Sequence, residues 1–176
     1  MPNLLLKTIA FAAEKHKNQR RKDVEASPYI NHPIALAHLL AESGGIANSD
    51  VLCAALLHDT VEDTQTSQAE LIEHFGFKIA SIVMEVTDDK TLSKDERKQK
   101  QIDSAPHISI EAKLVKLADK ICNLRDIIAA PPKGWSLERR QEYVQWCQNV
   151  VRGMKGTNHN LEKIFDELVI EGEQIQ

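Results

Sequence analysis

The segment SDVLCAALLHDTVEDT, Ser49 to Thr64, constrains the fold more than any other stretch of the chain. Wound at about 100° per residue, its apolar side chains Val51, Leu52, Leu56 and Leu57 point in nearly every direction. A helix apolar all round needs neighbours on every side, so it belongs at the centre of a multi-helix assembly. The remaining periodicity also predicts helices, over about 3–19, 33–43, 50–62, 67–75, 78–87, 93–103, 109–129, 136–153 and 157–171. Punctuation supports the breaks: SPYINHP, Gly44-Gly45, Gly76, and Pro131-Pro132-Lys133-Gly134. Ser67 with Glu70 three residues on suits a capping box, and Ser136 suits a cap without one. No run alternates apolar and polar residues with β-branched enrichment, so no strand is predicted. One all-α domain, a helical bundle over residues 1–176, is the expected architecture, and that length is enough to bury a core.

Several classes of protein drop out on composition. No apolar run approaches the roughly 18–20 residues of a membrane span, and MPNLLLKTIAFAAEKH reads as an amphipathic first helix rather than a leader. Net charge is −4 with bases interleaved among acids, which argues against a broad nucleic-acid surface but leaves a phosphorylated small molecule as partner. Cys53, Cys122 and Cys147 are odd in number and far apart, as expected for buried thiols in a reducing cytoplasm.

The central helix ends in His58, Asp59, Glu62 and Asp63. Acids at a helix C-terminus oppose its dipole, and a buried unpaired carboxylate costs several kcal/mol more. Either the helix surfaces after Leu57 and solvates its acids, or a cation compensates; this segment alone leaves both open. Two further stretches bear on the choice. In YINHPIALAHLLAE, Pro33 fits a first helical turn and puts His32 at the start of a buried helix, with His38 as a rival better read as packing or surface. In KLVKLADKICNLRDI, Leu114, Leu117, Ile121, Leu124 and Ile128 form the main stripe, and Asp119 projects from the other side between Val115 and Cys122, with Asn123 one turn on. Each helix therefore brings a polar group into apolar surroundings.

Together NHP, ALLHDTVEDT and KLVKLADKICNLRD resemble the HD-domain superfamily of metal-dependent phosphohydrolases. QRRKD, PYINHP, VTDDKTL, ERK, GWS and GTN add a likeness to its alarmone-hydrolase branch, the RelA/SpoT type, and within that to the stand-alone metazoan members. The resemblance runs from about Ala10 to Glu167 and leaves no room for the synthetase and regulatory domains of the long enzymes. It implies one divalent metal ion, usually Mn²⁺, held by His32, His58, Asp59 and Asp119, and removal of the 3′-pyrophosphate from guanosine tetra- or pentaphosphate. Two imidazoles and two carboxylates without thiolate independently suit Mn²⁺, Fe²⁺ or Zn²⁺ and leave positions for water and substrate. Glu62 and Asp63 are the expected catalytic pair, Glu62 on the attacking water and Asp63 on the leaving side.

A polyphosphate needs cations, and KHKNQRRKD supplies Lys15, Lys17, Arg20, Arg21 and Lys22. A basic run ending a helix is also a simple complement to its dipole. The resemblance favours Arg21 and Lys22 as substrate contacts, with Asn123 next and Tyr29, Thr157 and Asn158 behind; Trp135, Tyr143 and Trp146 are expected to pack. The basic segment is longer than in the long enzymes and matches the metazoan spacing. Two rival functions keep the same residues: a phosphatase for another nucleotide, such as the 2′-phosphate of NADPH, or a nucleotide-binding sensor that has lost catalysis. The Glu-Asp pair counts against the sensor. Membrane and nucleic-acid partners are not expected, and exposed apolar residues leave a homodimer open.

Overall fold

The central position of the apolar helix follows from its burial. In the computed structural model, which describes residues 2–23 and 25–174, α3 (Ser49–Leu57) packs against α1 (Pro2–Lys15), α2 (Asn31–Glu42), α6 (Phe77–Val86) and α8 (Ile110–Ala129). Val51, Cys53, Ala54, Ala55, Leu56 and Leu57 are all buried. Around this centre, α5 (Gln68–Phe75) lies on α6, α7 (Lys94–Ser104) on α9 (Leu137–Arg152), and α10 (His159–Glu173) on α8 and α9. A single turn, α4 (Thr60–Asp63), follows α3. Among the described residues there is no strand, and the one isolated bridge pairs Arg20 with Pro28. No helix among them is long and apolar enough to cross a membrane.

Two boundaries differ from the sequence expectation, and both shape the site. The helix expected over 50–62 breaks at His58 and Asp59. Its last carbonyls are taken by side chains: Ala55 O by the His58 ring at 2.8 Å and Leu57 O by the Thr60 hydroxyl at 2.6 Å. Asp59 sits at φ −99°, ψ −1°, and α4 restarts beyond it, with Asp63 N–H donating to Asp59 O at 2.8 Å. The first helix, expected to reach 19, stops at Lys15. Gln19 N–H closes a turn on His16 O at 2.9 Å, and Arg21 N–H reaches across to Ser27 O at 2.9 Å, so the basic run becomes a loop.

Capping chemistry sets most other ends. Ser93 and Glu96 form a full capping box on α7. Ser67 makes only half of the expected one: its oxygen accepts from Glu70 N–H, but the Glu70 carboxylate pairs with Lys15 at 2.6 Å instead. Ser136 caps α9 as expected. Asn158 caps α10 and also donates to Gly44 O at 2.9 Å, tying the helix to the end of α2. That commits one amide hydrogen and the amide oxygen to holding the fold together. Thr157 is likewise occupied, donating to Met154 O at 2.5 Å.

Candidate active site

His58 shows most directly what the site lacks. A carbonyl only accepts, so the ring's Nδ1 donates to Ala55 O, and Nε2 is left as a bare lone pair. That Nε2 is buried without a hydrogen-bond partner, yet lies 2.8 Å from Asp59 Oδ2 and 3.8 Å from Asp119 Oδ1. His32 Nε2, arriving from the first turn of α2, lies 3.2 Å from the same Asp119 oxygen. One ligand atom each from His32, His58 and Asp59 lies within 4.8 Å of the others. Lone pairs that converge in a buried space need a cation among them. A proton can serve: burial opposes charge on His58, but Asp59 and Asp119 outweigh it and push its pKa up to about 9. Burial likewise opposes ionisation of both carboxyls, yet His58 beside Asp59, and Lys120 and His32 beside Asp119, hold each below the usual carboxylate range. A divalent metal ion satisfies the same four groups, and this oxygen-and-nitrogen donor set fits one.

The groups behind those four hold them in place. Tyr29 donates its hydroxyl to Asp59 Oδ2. Burial first and then the Asp59 charge raise the phenol's pKa, so it remains a donor. Lys120 Nζ lies 3.0 Å from Asp119 Oδ2, its stem buried and its ammonium 4.6 Å from the Trp146 ring centre. Asn123 Nδ2 donates to Asp119 Oδ1 at 2.7 Å. Partners of this kind fix the orientation and basicity of metal-binding groups. His38 is exposed on α2, a surface residue.

Glu62 lines the same cavity, of about 210 Å³, without joining the cluster. Its Oε2 accepts from Asp88 N–H at 3.1 Å and its Oε1 is 4.0 Å from Arg97. Burial, with Asp59, Asp88 and Asp63 adding to it against that one hydrogen bond, pushes its pKa up to about 7. Asp63 is placed differently. Its oxygens accept from Lys90 Nζ at 2.6 Å and Gln19 Nε2 at 2.9 Å, at the junction between this cavity and a second.

The second cavity, about 330 Å³, reaches the lower end of the roughly 300–1,000 Å³ that small-molecule sites occupy. Arg21 and Lys22 line it together with Tyr29, Asn123, Trp135 and Tyr143. Arg21 is not the solvated end of a helix. Its guanidinium turns inward to the Asp126 carboxylate, 3.5 Å from Asn123 Oδ1 and 5.7 Å from the Tyr29 ring centre. Trp135 and Tyr143 stand edge to face at 5.7 Å, walls of a cavity rather than packing alone.

The sequence reading missed Lys116, Lys120, Asp88 and Arg97, and took Trp135 and Tyr143 for packing alone. A signal existed for the lysines: positions 116, 120 and 123 recur at helical spacing with Asp119 and make a polar stripe along an otherwise buried helix.

A helical fold whose centre gathers two histidines and two aspartates is that of a histidine–aspartate metal-centre protein. The chain belongs to the HD-domain family, whose sequence profile matches residues 8–150. It is 56% identical over 168 residues to the guanosine-3′,5′-bis(diphosphate) 3′-pyrophosphohydrolase MESH1 of Xenopus tropicalis, covering 96% of this chain and 94% of that one. Identity to the human protein of the same name is also 56%, over 93% and 92% of the two chains. A solved structure of a metazoan SpoT orthologue described as hydrolysing ppGpp superposes with a TM-score of 0.94 at 45% identity, covering 98% of this chain and 97% of its own.

Proposed function

We infer that the protein is a guanosine-3′,5′-bis(diphosphate) 3′-pyrophosphohydrolase. The observation that carries this is the near-full-length identity to hydrolases of that name. In this reading His32, His58, Asp59 and Asp119 hold one divalent ion, which we take to be Mn²⁺. When bound, such an ion lowers the pKa of water toward neutrality and neutralises phosphate charge, so no serine or cysteine nucleophile is required.

The chain's own residues do the rest. Glu62 accepts the proton of the attacking water; a carboxyl with a pKa of about 7 is matched to that task at neutral pH. Water adds to the phosphorus bound to the ribose 3′ oxygen, the bond to that oxygen breaks, and the 3′ hydroxyl takes a proton as pyrophosphate departs. Asp63 supports the leaving side by holding the Lys90 ammonium and the Gln19 amide where the two cavities meet. Arg21, Lys22 and Asn123 serve the nucleotide in the outer cavity, with Tyr29, Trp135 and Tyr143 offering ring faces and edges to a base. The three free, buried thiols suit a reducing compartment, and we place the enzyme in the cytoplasm.

The test is a substrate panel run with Mn²⁺ and repeated after chelation. Release of pyrophosphate from the alarmone, lost with chelator, is the expected result. Orthophosphate from NADPH with no alarmone turnover would assign the site to the other reaction, and binding without turnover would make it a sensor.

A further inference from the structure

Lys116 is buried, 5% exposed, and lines the metal cavity one turn before Asp119 on α8. Lys120, its neighbour on the same face, is paired with Asp119. Lys116 is not paired: among the described residues no carboxylate lies within ion-pair distance of its ammonium, although Glu62, Asp88 and Asp119 share the cavity. A mostly buried side chain that brings an unpaired ammonium to the edge of a cavity is placed to receive an anion that arrives from outside.

The wall opposite is unfinished in the same way. Arg97, from α7, keeps a buried Nε with no acceptor, while its Nη1 is 4.0 Å from Glu62. Gln101, one turn on, donates to Asp88 Oδ2 at 2.8 Å and lines both the metal cavity and the adjoining space that Arg97 lines. Two cationic side chains from two helices thus carry donors without acceptors on either side of Asp88 and Gln101, where the metal cavity and the adjoining space meet.

Their position relative to the metal ligands says which part of a ligand they would meet. Along α8, Asn123 opens on the outer cavity, Asp119 stands in the middle, and Lys116 lies about 10 Å inward of Asn123 at about 1.5 Å per residue. A nucleotide entering from the Arg21 side, with one phosphoryl at a cation held by Asp119, would have Lys116 on the far side of that phosphoryl.

We propose that Lys116 and Arg97 form an anion subsite for the distal phosphoryl of the departing pyrophosphate, on the far side of the metal ligands from Arg21 and Lys22. The proposal rests on the alarmone-hydrolase reading and adds to it a contact for the pyrophosphate that is attacked and released. Burial and the neighbouring Lys120 bring the Lys116 ammonium down to about 8, which leaves it largely charged at neutral pH and weakly enough solvated to exchange its surroundings for phosphate oxygens.

The experiment is equilibrium binding of inorganic pyrophosphate and of orthophosphate to the Mn²⁺-loaded protein, with metal content measured alongside. Wild type is compared with Lys116→Met, Lys116→Arg and Arg97→Gln. Pyrophosphate affinity should fall roughly tenfold or more in Lys116→Met, the size of one lost charge-assisted hydrogen bond, and recover in Lys116→Arg. Arg97→Gln should lose several-fold, and orthophosphate, which has no distal phosphoryl, should change by less than about threefold in every variant. Unchanged pyrophosphate affinity in Lys116→Met and Arg97→Gln overturns the subsite. So does an equal loss for both anions, which would mark a general charge effect. Should Lys116→Met not fold, Arg97→Gln decides, since its side chain is partly exposed on the outer wall. The binding needs no turnover, so a wild type that fails to release pyrophosphate from the alarmone refutes the reaction, not the subsite.

Discussion

Replacing Glu62 with glutamine should stabilise the metal-free protein at alkaline pH while removing its turnover. Glu62 is 19% exposed, and its carboxyl is raised from an ordinary 4.5 to about 7, burial being the largest cause. A raised acid binds its proton more tightly folded than unfolded. The folded state therefore loses stability as pH rises from about 4.5 to about 7, and the full penalty remains above that window. At about 1.4 kcal/mol per tenfold change in proton affinity, the penalty is about 3 kcal/mol at about pH 8 and about 1.4 kcal/mol at about pH 5.5. Glutamine has nearly the same shape, can still accept from Asp88 N–H, and has no charge to bury.

Urea unfolding of chelator-treated wild type and Glu62→Gln at the two pH values measures the difference. The expected gain for the variant is up to about 3 kcal/mol at the higher pH, falling by about half at the lower. A variant less stable than wild type at about pH 8, or a gain that does not change with pH, would refute burial as the cause. With Mn²⁺ restored the variant should hold metal but release pyrophosphate at a rate lower by about 10²-fold or more, the usual worth of a positioned base. Unchanged turnover with metal bound would remove Glu62 from the chemistry. Stability given up at a working residue is a common trade.

Asp119→Asn should weaken metal binding by at least about 10–100-fold and cost roughly 3–5 kcal/mol, because it removes a ligand and strands the buried Lys120 ammonium; metal titration and urea unfolding check both. Asn158→Ala should cost about 1–2 kcal/mol through the lost cap and the lost bond to Gly44, with KM and kcat unchanged; a rise in KM would return Asn158 to the substrate site.

How much of this was readable in the sequence depends on whether a residue's local context or its distant neighbours decide its role. The burial of α3 was readable because every position from Val51 to Leu57 is apolar, whatever packs against it. His32, His58, Asp59 and Asp119 were singled out by motif likeness and by their apolar surroundings, but spacing along three separate helices does not show that they meet. The break at His58–Asp59 was not readable, since the residues that cause it, His58 and Thr60, are equally at home inside a helix and act only through side-chain contacts with carbonyls behind them. Lys116 and Lys120 were hidden by a default that places helical lysines in solvent. What keeps Lys120 inside is a carboxylate next to it and the Trp146 ring from a helix about 25 residues away, a contact no local rule registers. Arg21 was suspected for the right end of the chain, but its inward turn depends on a loop closed by Arg20–Pro28 and by Ser27 on Asp23.

That break also explains how two residues adjacent in sequence share one site. On a continuous helix neighbouring side chains diverge by about 100°, and His58 would point away from Asp59. Unwinding at Asp59 brings its carboxylate back to 2.8 Å from His58 Nε2. The lost helical bonds are replaced locally: the His58 ring takes the Ala55 carbonyl and the Thr60 hydroxyl takes that of Leu57. The first of these replacements is also the contact that fixes the imidazole tautomer and frees Nε2 for a cation. One hydrogen bond therefore ends a buried helix and leaves Nε2 turned toward Asp59 and Asp119. The segment's apolar half and its ionisable half are consequently parts of a single device: the helix must be deeply buried for His58 to be held rigidly, and must end where it does for Asp59 to meet it.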